Sequence, residues 1–371
     1  MTTFDSMPQC CIAPPDLLEA VAGQGTPEER EAALRTLATS ETARAQRASF
    51  AGVLRQLSLT VADVAPAPGM VRTVYDVENG GDFDLPGRKR RGEGDGPSGD
   101  AAVDDAYDGA GVTYDFYRKV FGRDSIDGRG LEIVSSVHYG TDYDNAAWIG
   151  FQMIYGDGSG QIFTKGSLTR AVDIVAHELT HGVTQFTANL VYSKQPGALN
   201  ESFSDVFGSL AKQYGRGQTA DRADWLIGDG ILGSALRGTA LRSMKAPGTA
   251  WSTPGGGRDR QPGHMRDYVN LPDDGDPAND HGGVHINSGI PNHAFYLAAT
   301  AIGGNAWERA GRVWYVTLTE RLRPRSDFRE AAEATVEVAG ELFGAEGEEQ
   351  RKVRAAWQQV GVLPGGADHD R

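Results

Sequence analysis

The feature of this 371-residue chain that most restricts its fold is the segment VAHELTHGV at positions 175–183. His177 and His181 lie four residues apart, and on a helix such residues stack on one face about 6 Å apart. Two imidazoles on one face can bind one zinc ion. Glu178 is rotated by about 100° around the helix, close enough to touch a metal-bound water without ligating the metal. The motif alone is only moderately specific, so other segments must supply the rest of the site.

A zinc hydrolase needs a third protein ligand, and ALNESFSDVFG at positions 198–208 offers one. We expect Glu201 at the start of a second helix, with Asp205 one turn later as the acceptor for a histidine ring N–H. A solvated or capping glutamate is the usual alternative. Phe203 and Phe207 favour the ligand, because a helix that carries them must pack inward.

Another candidate lies in NDHGGVHINSGIPNHAFY at positions 279–296. Its paired glycines permit a tight backbone turn that brings His285 to a cleft. Asp280, five residues earlier, can orient that imidazole. His293 is interpreted as an ordinary core or surface residue.

Charge and composition exclude several function classes. A net charge of −14 repels nucleic acid and anionic membranes, so neither is an expected partner. No apolar run approaches the roughly 20 residues of a membrane span. The N-terminus lacks the basic and apolar regions of a signal peptide. Cys10 and Cys11 are the only cysteines, and such neighbours seldom form an ordinary disulfide.

Composition divides the chain into four parts. Residues 1–68 form a helical leader and linker, 69–168 a β-rich domain, 169–363 a mainly helical domain with the zinc site, and 364–371 a loose tail. The basic run RKRR at 88–91 is expected to be a solvated loop, because acids and glycines follow it at once.

HELTH, NESFSD and HGGVHINSGIPN, in this order, resemble the thermolysin family of zinc metalloendopeptidases over residues 70 to 362. The CIAPPDLL start and short leader resemble its protealysin-like branch, whose precursors carry a compact N-terminal prosegment. The resemblance implies an α+β fold with the active-site helix in the cleft between two domains. It also implies an extracellular location, the alternative being cytoplasmic, and a monomer.

The resemblance assigns roles to single residues. Zinc would be bound by His177, His181 and Glu201, with Glu178 as general base and Asp205 supporting a zinc-bound histidine. Tyr192 and His285 would donate hydrogen bonds to the oxyanion, and Asp280 would orient His285. These roles agree with the physics, since an oxyanion donor stabilises the transition state selectively.

The same resemblance implies how protein substrates bind. Asn145 and Ala146 would bind the substrate backbone along an edge strand, and Arg242 would hold a substrate carbonyl. Four residues would line an apolar pocket for the residue after the scissile bond: Phe163, Leu168, Ile174 and Leu241. Ala147 and Ile149 stand where relatives usually place phenylalanine and a polar residue, so the preference before the cut stays open.

The calcium site of the family is altered in this chain. Oxygen ligands remain at Asp173, Asp224 and Asp229, but Lys212 and Leu226 replace two acidic ones. A lysine ammonium neutralises carboxylates and excludes the ion. We therefore expect the double calcium site to be absent, with a single calcium still possible.

The leader has two interpretations. In one it is a folding aid that is removed on maturation. In the other it also inhibits its own enzyme, with Cys10 or Cys11 as a thiolate ligand in place of the zinc-bound water.

Two alternatives to a self-inhibited endopeptidase come from other classes. A silent zinc-binding protein requires a missing catalytic residue, and none is missing. A zinc hydrolase of esters or non-peptide amides fits poorly with the intact backbone-binding segment DNAAW at 144–148.

Overall fold

A computed structural model describes residues 10–57 and 69–365 of the chain. Its helices are α1 Pro15–Gln24, α2 Pro27–Leu57, α3 Ala101–Phe121, α4 Ser167–Arg170, α5 Val172–Gln185, α6 Lys194–Arg216, α7 Asp280–Asn287, α8 Gly289–Ile302, α9 Ala310–Val316, α10 Phe328–Phe343 and α11 Glu348–Gln359. Its strands are β1 Cys10–Cys11, β2 Arg72–Asp76, β3 Arg88–Gly92, β4 Ile133–Val137, β5 Ala146–Trp148, β6 Met153–Tyr155, β7 Leu226–Ile227, β8 Arg237–Gly238, β9 Arg242–Ser243 and β10 Trp251–Ser252.

Six strands form one sheet in the order β1-β5-β6-β4-β2-β3. The three central strands β2, β4 and β6 are parallel, while β1, β5 and β3 run antiparallel to their neighbours. The central strands are Val-, Ile- and Tyr-rich, as expected for strands buried on both faces. β1 belongs to the leader, so the leader supplies the edge strand next to β5.

Helix α3 covers this sheet, as the apolar spacing in its sequence predicts. Val103, Tyr107 and Phe116 are buried on its inner face. It starts where the Asp100 side chain accepts hydrogen bonds from two backbone N–H groups, and it ends at Gly122 in the left-handed conformation.

Helices dominate the second half, and α5 and α6 lie against each other there. Gly208 permits this approach, because a Cβ atom on it would lie 2.6 Å from the Asp173 carbonyl oxygen. Helix α6 begins at Lys194, so Glu201 lies two turns inside it, and the expectation that it starts the helix was wrong. Pro196 accounts for the difference, since the first turn of a helix tolerates proline.

The prediction of a solvated loop at 88–91 was also wrong, because these residues form β3 antiparallel to β2. The positive charges of this strand contact nearby acidic and aromatic side chains. Arg90 Nη1 lies 2.6 Å from Asp76 Oδ2, and the Arg91 guanidinium lies 3.9 Å from the centre of the Tyr107 ring. Pairing of these cations makes an edge strand possible where composition alone suggested a loop.

The leader contacts both the sheet-containing N-terminal part and the helical C-terminal part of the chain. In α2, Thr36 Oγ1 accepts a hydrogen bond from the Asp144 N–H at 3.1 Å, and the Ser40 hydroxyl lies 2.8 Å from the Tyr143 hydroxyl. At the end of α1, Gln24 Oε1 accepts from Gly257 N–H at 3.0 Å. The expected linker and tail lie mostly outside the described residues.

The architecture is therefore α+β, with a sheet-containing N-terminal part and a mainly helical C-terminal part, and this confirms the predicted fold class. Within the described ranges, no helix has the length and apolar character that crossing a membrane would require.

His138 joins three elements next to the sheet. Its Nδ1 lies 2.7 Å from Asp157 Oδ1 after β6, and its Nε2 lies 3.1 Å from Asp100 Oδ2 at the start of α3. The hydrogen bond to Asp157, aided by Asp100, raises the pKa of His138 to about 9 despite partial burial. The imidazolium form is therefore the bonded form at neutral pH.

This raised pKa predicts a pH dependence of stability. Since His138 binds its proton more tightly in the folded chain, its contribution is fully present below about pH 6.5 and is lost as pH rises through about 9. Chemical unfolding is to be compared between the Glu178→Gln variant and the same variant that also carries His138→Gln. The difference in the free energy of unfolding between the two proteins should shrink between pH 6 and pH 9.5. A gap that stays constant over this range would contradict the assignment.

Candidate metal centre and active site

Three buried side chains from α5 and α6 converge on one point. The Nε2 atoms of His177 and His181 lie 3.0 Å apart, and each lies 3.5 Å from a carboxylate oxygen of Glu201. One ligand atom from each residue falls within 4.8 Å of the others. Two imidazoles and one carboxylate at this spacing are the ligand set of a catalytic zinc site, which leaves a further position for water.

The opposite ring nitrogens of both histidines are held by acceptors on α6. His177 Nδ1 lies 2.8 Å from Asp205 Oδ1, and His181 Nδ1 lies 2.9 Å from Asn200 Oδ1 and 3.0 Å from Ser204 Oγ. Each Nδ1 then donates its proton to an acceptor on α6, and each Nε2 faces the Glu201 carboxylate. Burial lowers the pKa of His181 to about 3, which keeps that ring neutral.

Asp205 connects the metal centre to the rest of the cleft. Its two oxygens accept hydrogen bonds from Nε and Nη2 of Arg242, both at 2.8 Å, and Oδ2 also accepts from Asn292 Nδ2 at 2.8 Å. Burial alone would raise the pKa of Asp205, but Arg242 and His177 lower it to about 2. A permanently ionised carboxylate therefore lies behind His177.

The pattern of unsatisfied atoms fits a divalent cation. Glu201 Oε2 and Glu178 Oε1 are buried and have no hydrogen-bond partner, which is unusual for carboxylate oxygens. A metal ion would satisfy Glu201 Oε2, and water on that ion would satisfy Glu178 Oε1. The residues present are thus compatible with zinc.

Glu178 is positioned beside β5, the strand next to the leader strand β1. Its Oε2 accepts a hydrogen bond from the Trp148 N–H at 2.9 Å. Burial raises the pKa of Glu178 to about 8. A cation nearby acts in the opposite direction, because positive charge favours the carboxylate. The carboxyl group is thus held at one oxygen and can exchange a proton at the other.

Tyr192 and His285 lie together beside Glu201. The Tyr192 hydroxyl donates to Glu201 and lies 3.2 Å from His285 Nε2. Asp280 accepts from the His285 ring Nδ1 at 2.6 Å and from its backbone N–H at 2.8 Å. Burial would lower the pKa of His285, but the Glu201 and Asp280 carboxylates raise it to about 10.

The glycines before His285 have the predicted effect on the backbone. Gly282 and Gly283 have φ values of +84° and +83°, and they follow two further left-handed residues, Asp280 and His281. This run of left-handed residues breaks α7 and lets the Asp280 side chain fold back onto His285.

The leader lies in the cleft along the residues expected to bind substrate backbone. Ile12 N–H donates to the Ala146 carbonyl at 3.1 Å, and Ala13 N–H donates to Asn145 Oδ1 at 2.9 Å. Arg242 Nη1 donates to the Ile12 carbonyl at 3.1 Å. All three predicted backbone-binding residues therefore contact an extended peptide.

The four predicted pocket residues are fully buried and belong to one apolar cluster that also contains Ile12. They are Phe163, Leu168, Ile174 and Leu241. Ile12 is itself 0% exposed. Ile12 thus joins the main apolar core of the described residues, of which these four residues are also part.

The Cys11 side chain does not belong to the apolar cluster that contains Ile12. It lies in a small cluster formed by Tyr139, Tyr143, Ala147, Ile149 and Ile154. Among the described residues, the zinc-compatible group does not include Cys11. It is the carbonyl of Cys11 that faces the catalytic residues, since it accepts from His285 Nε2 at 2.9 Å. The side chain of Cys10 lies outside the described part of the chain.

Lys212 lies between the acids of the altered calcium site. Its Nζ is 3.0 Å from Asp173 Oδ2, 3.0 Å from Asp224 Oδ1 and 2.6 Å from the Leu226 carbonyl oxygen. The ammonium thus contacts the oxygens that a cation would require. Asp229 is exposed and lines the same cavity as Asp173 and Lys212.

Some positioning residues were not predicted from sequence. Asn200 and Ser204 hold His181, and they share the four-residue spacing of Glu201 and Asp205, so their spacing on α6 was an available signal. Asn292 donates to Asp205 from α8, and no local pattern indicated that contact.

Two family models match almost the whole described chain after the leader. Residues 74–185 match the catalytic domain of thermolysin metallopeptidases, and residues 188–362 match the alpha-helical domain of the same peptidases.

Individual relatives extend the similarity into the leader. An extracellular metalloprotease of Pectobacterium carotovorum subsp. carotovorum is 46% identical over 358 residues, which cover 96% of this chain and 97% of that protein. Protease PrtS of Photorhabdus sp. (strain Az29) is 44% identical over 81% of this chain and 78% of its own length. The solved precursor of protealysin, a metalloproteinase from Serratia proteamaculans, superposes with a TM-score of 0.82 at 46% identity. That superposition covers 95% of this chain and 100% of the protealysin chain.

Because the Lys212 ammonium contacts these oxygens, we predict that the folded chain is stable without bound calcium. Removing one partner of a buried ion pair leaves an uncompensated charge, so Lys212→Met should lower the free energy of unfolding by about 3–5 kcal/mol. Chemical unfolding in the Glu178→Gln background measures this, with the exposed Lys119→Met as a control that should change nothing measurable. Calcium should not raise the melting temperature of the parent. A calcium-dependent rise in the melting temperature, or two tight calcium sites in a titration, would contradict this prediction.

Proposed function

We propose that this chain, which belongs to the thermolysin family of metallopeptidases and is a metalloendopeptidase, hydrolyses internal peptide bonds with a single zinc ion. The ligands would be His177, His181 and Glu201. The observation that carries the proposal is the convergence of these three side chains on one buried point beside a cleft that already holds extended peptide.

The position of each catalytic group supports one step of the reaction. Bound zinc would supply Lewis-acid chemistry and make water nucleophilic near pH 7. Glu178 takes the proton from the attacking water and later delivers it to the leaving amine. Tyr192 and His285 donate hydrogen bonds to the oxygen that becomes negative, and Asp280 keeps His285 protonated and oriented.

Substrate recognition rests mainly on the peptide backbone. Asn145, Ala146 and Arg242 bind main-chain groups, which suits cleavage of many sequences. The buried apolar side chains of Phe163, Leu168, Ile174 and Leu241 favour a large apolar residue after the scissile bond. Proteins and peptides are therefore the substrates, with side-chain preference set chiefly at that position.

The leader inhibits the enzyme by occupying this cleft. It fills the main-chain contacts of Asn145, Ala146 and Arg242, and its Cys11 carbonyl takes the His285 hydrogen bond. Inhibition by the main chain needs no thiol. A relative named extracellular metalloprotease supports a role outside the cell.

Replacing Glu178 tests the chemistry. Enzyme freed of its leader should hydrolyse casein, and Glu178→Gln should lose about 10²–10⁴-fold in rate, because an amide cannot accept the proton. Casein hydrolysis should also stop with 1,10-phenanthroline and return with zinc.

Glu341→Gln, far along the chain on α10 and partly exposed, is the matched control and should keep full activity. Casein hydrolysis that survives both Glu178→Gln and the chelator would refute the proposal.

Main-chain inhibition predicts that the cysteines are dispensable for latency. The Cys10→Ser, Cys11→Ser double variant of the precursor should remain as inactive on casein as the parent precursor. Leu17→Asp should release activity, because Leu17 is fully buried in α1 and a charge there detaches the leader. A double-serine precursor as active as the leader-free enzyme would instead favour the thiol as the inhibitory group.

A further inference from the structure

The aromatic ring of Tyr192, a proposed oxyanion donor, contacts three imidazole rings. The ring centres of His181, His281 and His285 lie 6.3, 5.6 and 6.2 Å from that of Tyr192, each in an edge-to-face arrangement. His181 is a proposed metal ligand, and His285 is the other proposed oxyanion donor. His281 makes the shortest of the three contacts, and no step of the proposed reaction uses it.

The backbone of His281 has a conformation that few residues other than glycine adopt. Its φ is +49° and its ψ is +38°, in the left-handed region. Histidine tolerates this region better than most side chains, but the conformation persists only where the surroundings fix it. Through this run of left-handed residues the His281 ring reaches Tyr192, while the Asp280 side chain reaches His285.

The turn at 280–283 packs closely against the start of α6. A Cβ atom on Gly282 would lie 2.6 Å from Lys194 Cγ, and a Cβ atom on Gly197 would lie 2.5 Å from Val284 Cγ1. These close approaches hold the turn against the helix without help from the histidine ring. A substitution that removes this ring therefore tests its contact with the tyrosine and not the fold.

The position of the Tyr192 hydroxyl depends on the packing of its ring. Tyr192 precedes α6 in the segment after α5, where no helix or strand fixes it. Its hydroxyl donates to Glu201 and lies 3.2 Å from His285 Nε2. A donor stabilises the oxyanion only when it is held beforehand at hydrogen-bond distance, and a shift of about 1 Å can cost a large part of the rate.

We propose that His281 is a positioning residue, whose ring holds the Tyr192 phenol in the orientation from which its hydroxyl reaches the oxyanion. This inference rests on the proposed function. In this role His281 acts only through Tyr192. Loss of the imidazole lets the phenol turn and weakens one hydrogen bond that forms in the transition state.

Replacing the ring tests the inference. Each protein is folded as the full chain with zinc and is then freed of its leader. His281→Asn removes the imidazole and introduces a residue that also tolerates the left-handed conformation. It should lower kcat for an internally quenched peptide about tenfold and leave KM unchanged, because the lost interaction belongs to the transition state. An unchanged kcat, or a loss that appears in KM instead, overturns the inference.

His293→Asn is the matched control. His293 is a half-buried histidine on α8 whose ring stacks on Tyr296 with the ring centres 5.8 Å apart, and neither residue belongs to the proposed site. The same substitution there should leave kcat unchanged. An equal loss of kcat in His293→Asn would contradict a specific effect of the ring on Tyr192.

A double-mutant cycle separates positioning from a merely structural role. Tyr192→Phe removes the hydroxyl and should lower kcat about a hundredfold. In that background His281→Asn should cause no further loss, because no hydroxyl remains to be positioned. A structural contribution would cause its tenfold loss in both backgrounds, and this result overturns the inference.

Binding of a peptide phosphonamidate provides a readout besides hydrolysis. Its tetrahedral anion resembles the transition state, so its Kd should rise about tenfold in His281→Asn and stay unchanged in His293→Asn. Equal Kd values for the parent and His281→Asn would contradict the role of the ring.

Casein hydrolysis by the leader-free parent is measured in parallel. If the parent is active while the effects of Tyr192→Phe and His281→Asn on kcat multiply, the inference fails and the proposed function stands. If the zinc-loaded parent is inactive, the proposed function itself fails, and the inference fails with it.

Discussion

The buried carboxylate of Asp205 organises the whole cleft. It accepts hydrogen bonds from His177 on α5, Arg242 on β9 and Asn292 on α8. One ionised group thereby fixes the orientation of a proposed metal ligand, His177, and of the Arg242 guanidinium that binds the Ile12 carbonyl. Such an anion is tolerated inside the protein because bidentate Arg242 and two further donors compensate its desolvation.

The same geometry underlies the proposed inhibition by the leader. The leader does not cover the cleft from outside but enters it as an added strand on β5, with backbone hydrogen bonds of the type a substrate makes. Affinity then comes from main-chain pairing and buried apolar side chains, including Leu17 and Leu18 of α1. Contacts of α2 with Tyr143 and Asp144 hold the leader on the sheet side as well.

Local sequence patterns were sufficient to predict much of the candidate site. Helical spacing was sufficient to place His177 and His181 on one face, and the paired glycines were sufficient to predict the turn before His285. Long-range pairings were not accessible in the same way. The Asn292 contact with Asp205 joins residues 87 apart, and the RKRR strand depends on partners such as Asp76 and Tyr107 that composition does not reveal. The early start of α6 was missed because Pro196 was compatible with either boundary.

The central claim is that His177, His181 and Glu201 hold one zinc ion. Zinc K-edge X-ray absorption together with elemental analysis of the purified Glu178→Gln precursor tests it most directly. We predict one zinc per chain with two imidazole nitrogens at about 2.0–2.1 Å and a carboxylate oxygen, and its loss in His177→Ala. A correctly folded precursor that contains no zinc and takes up none on dialysis would contradict the account.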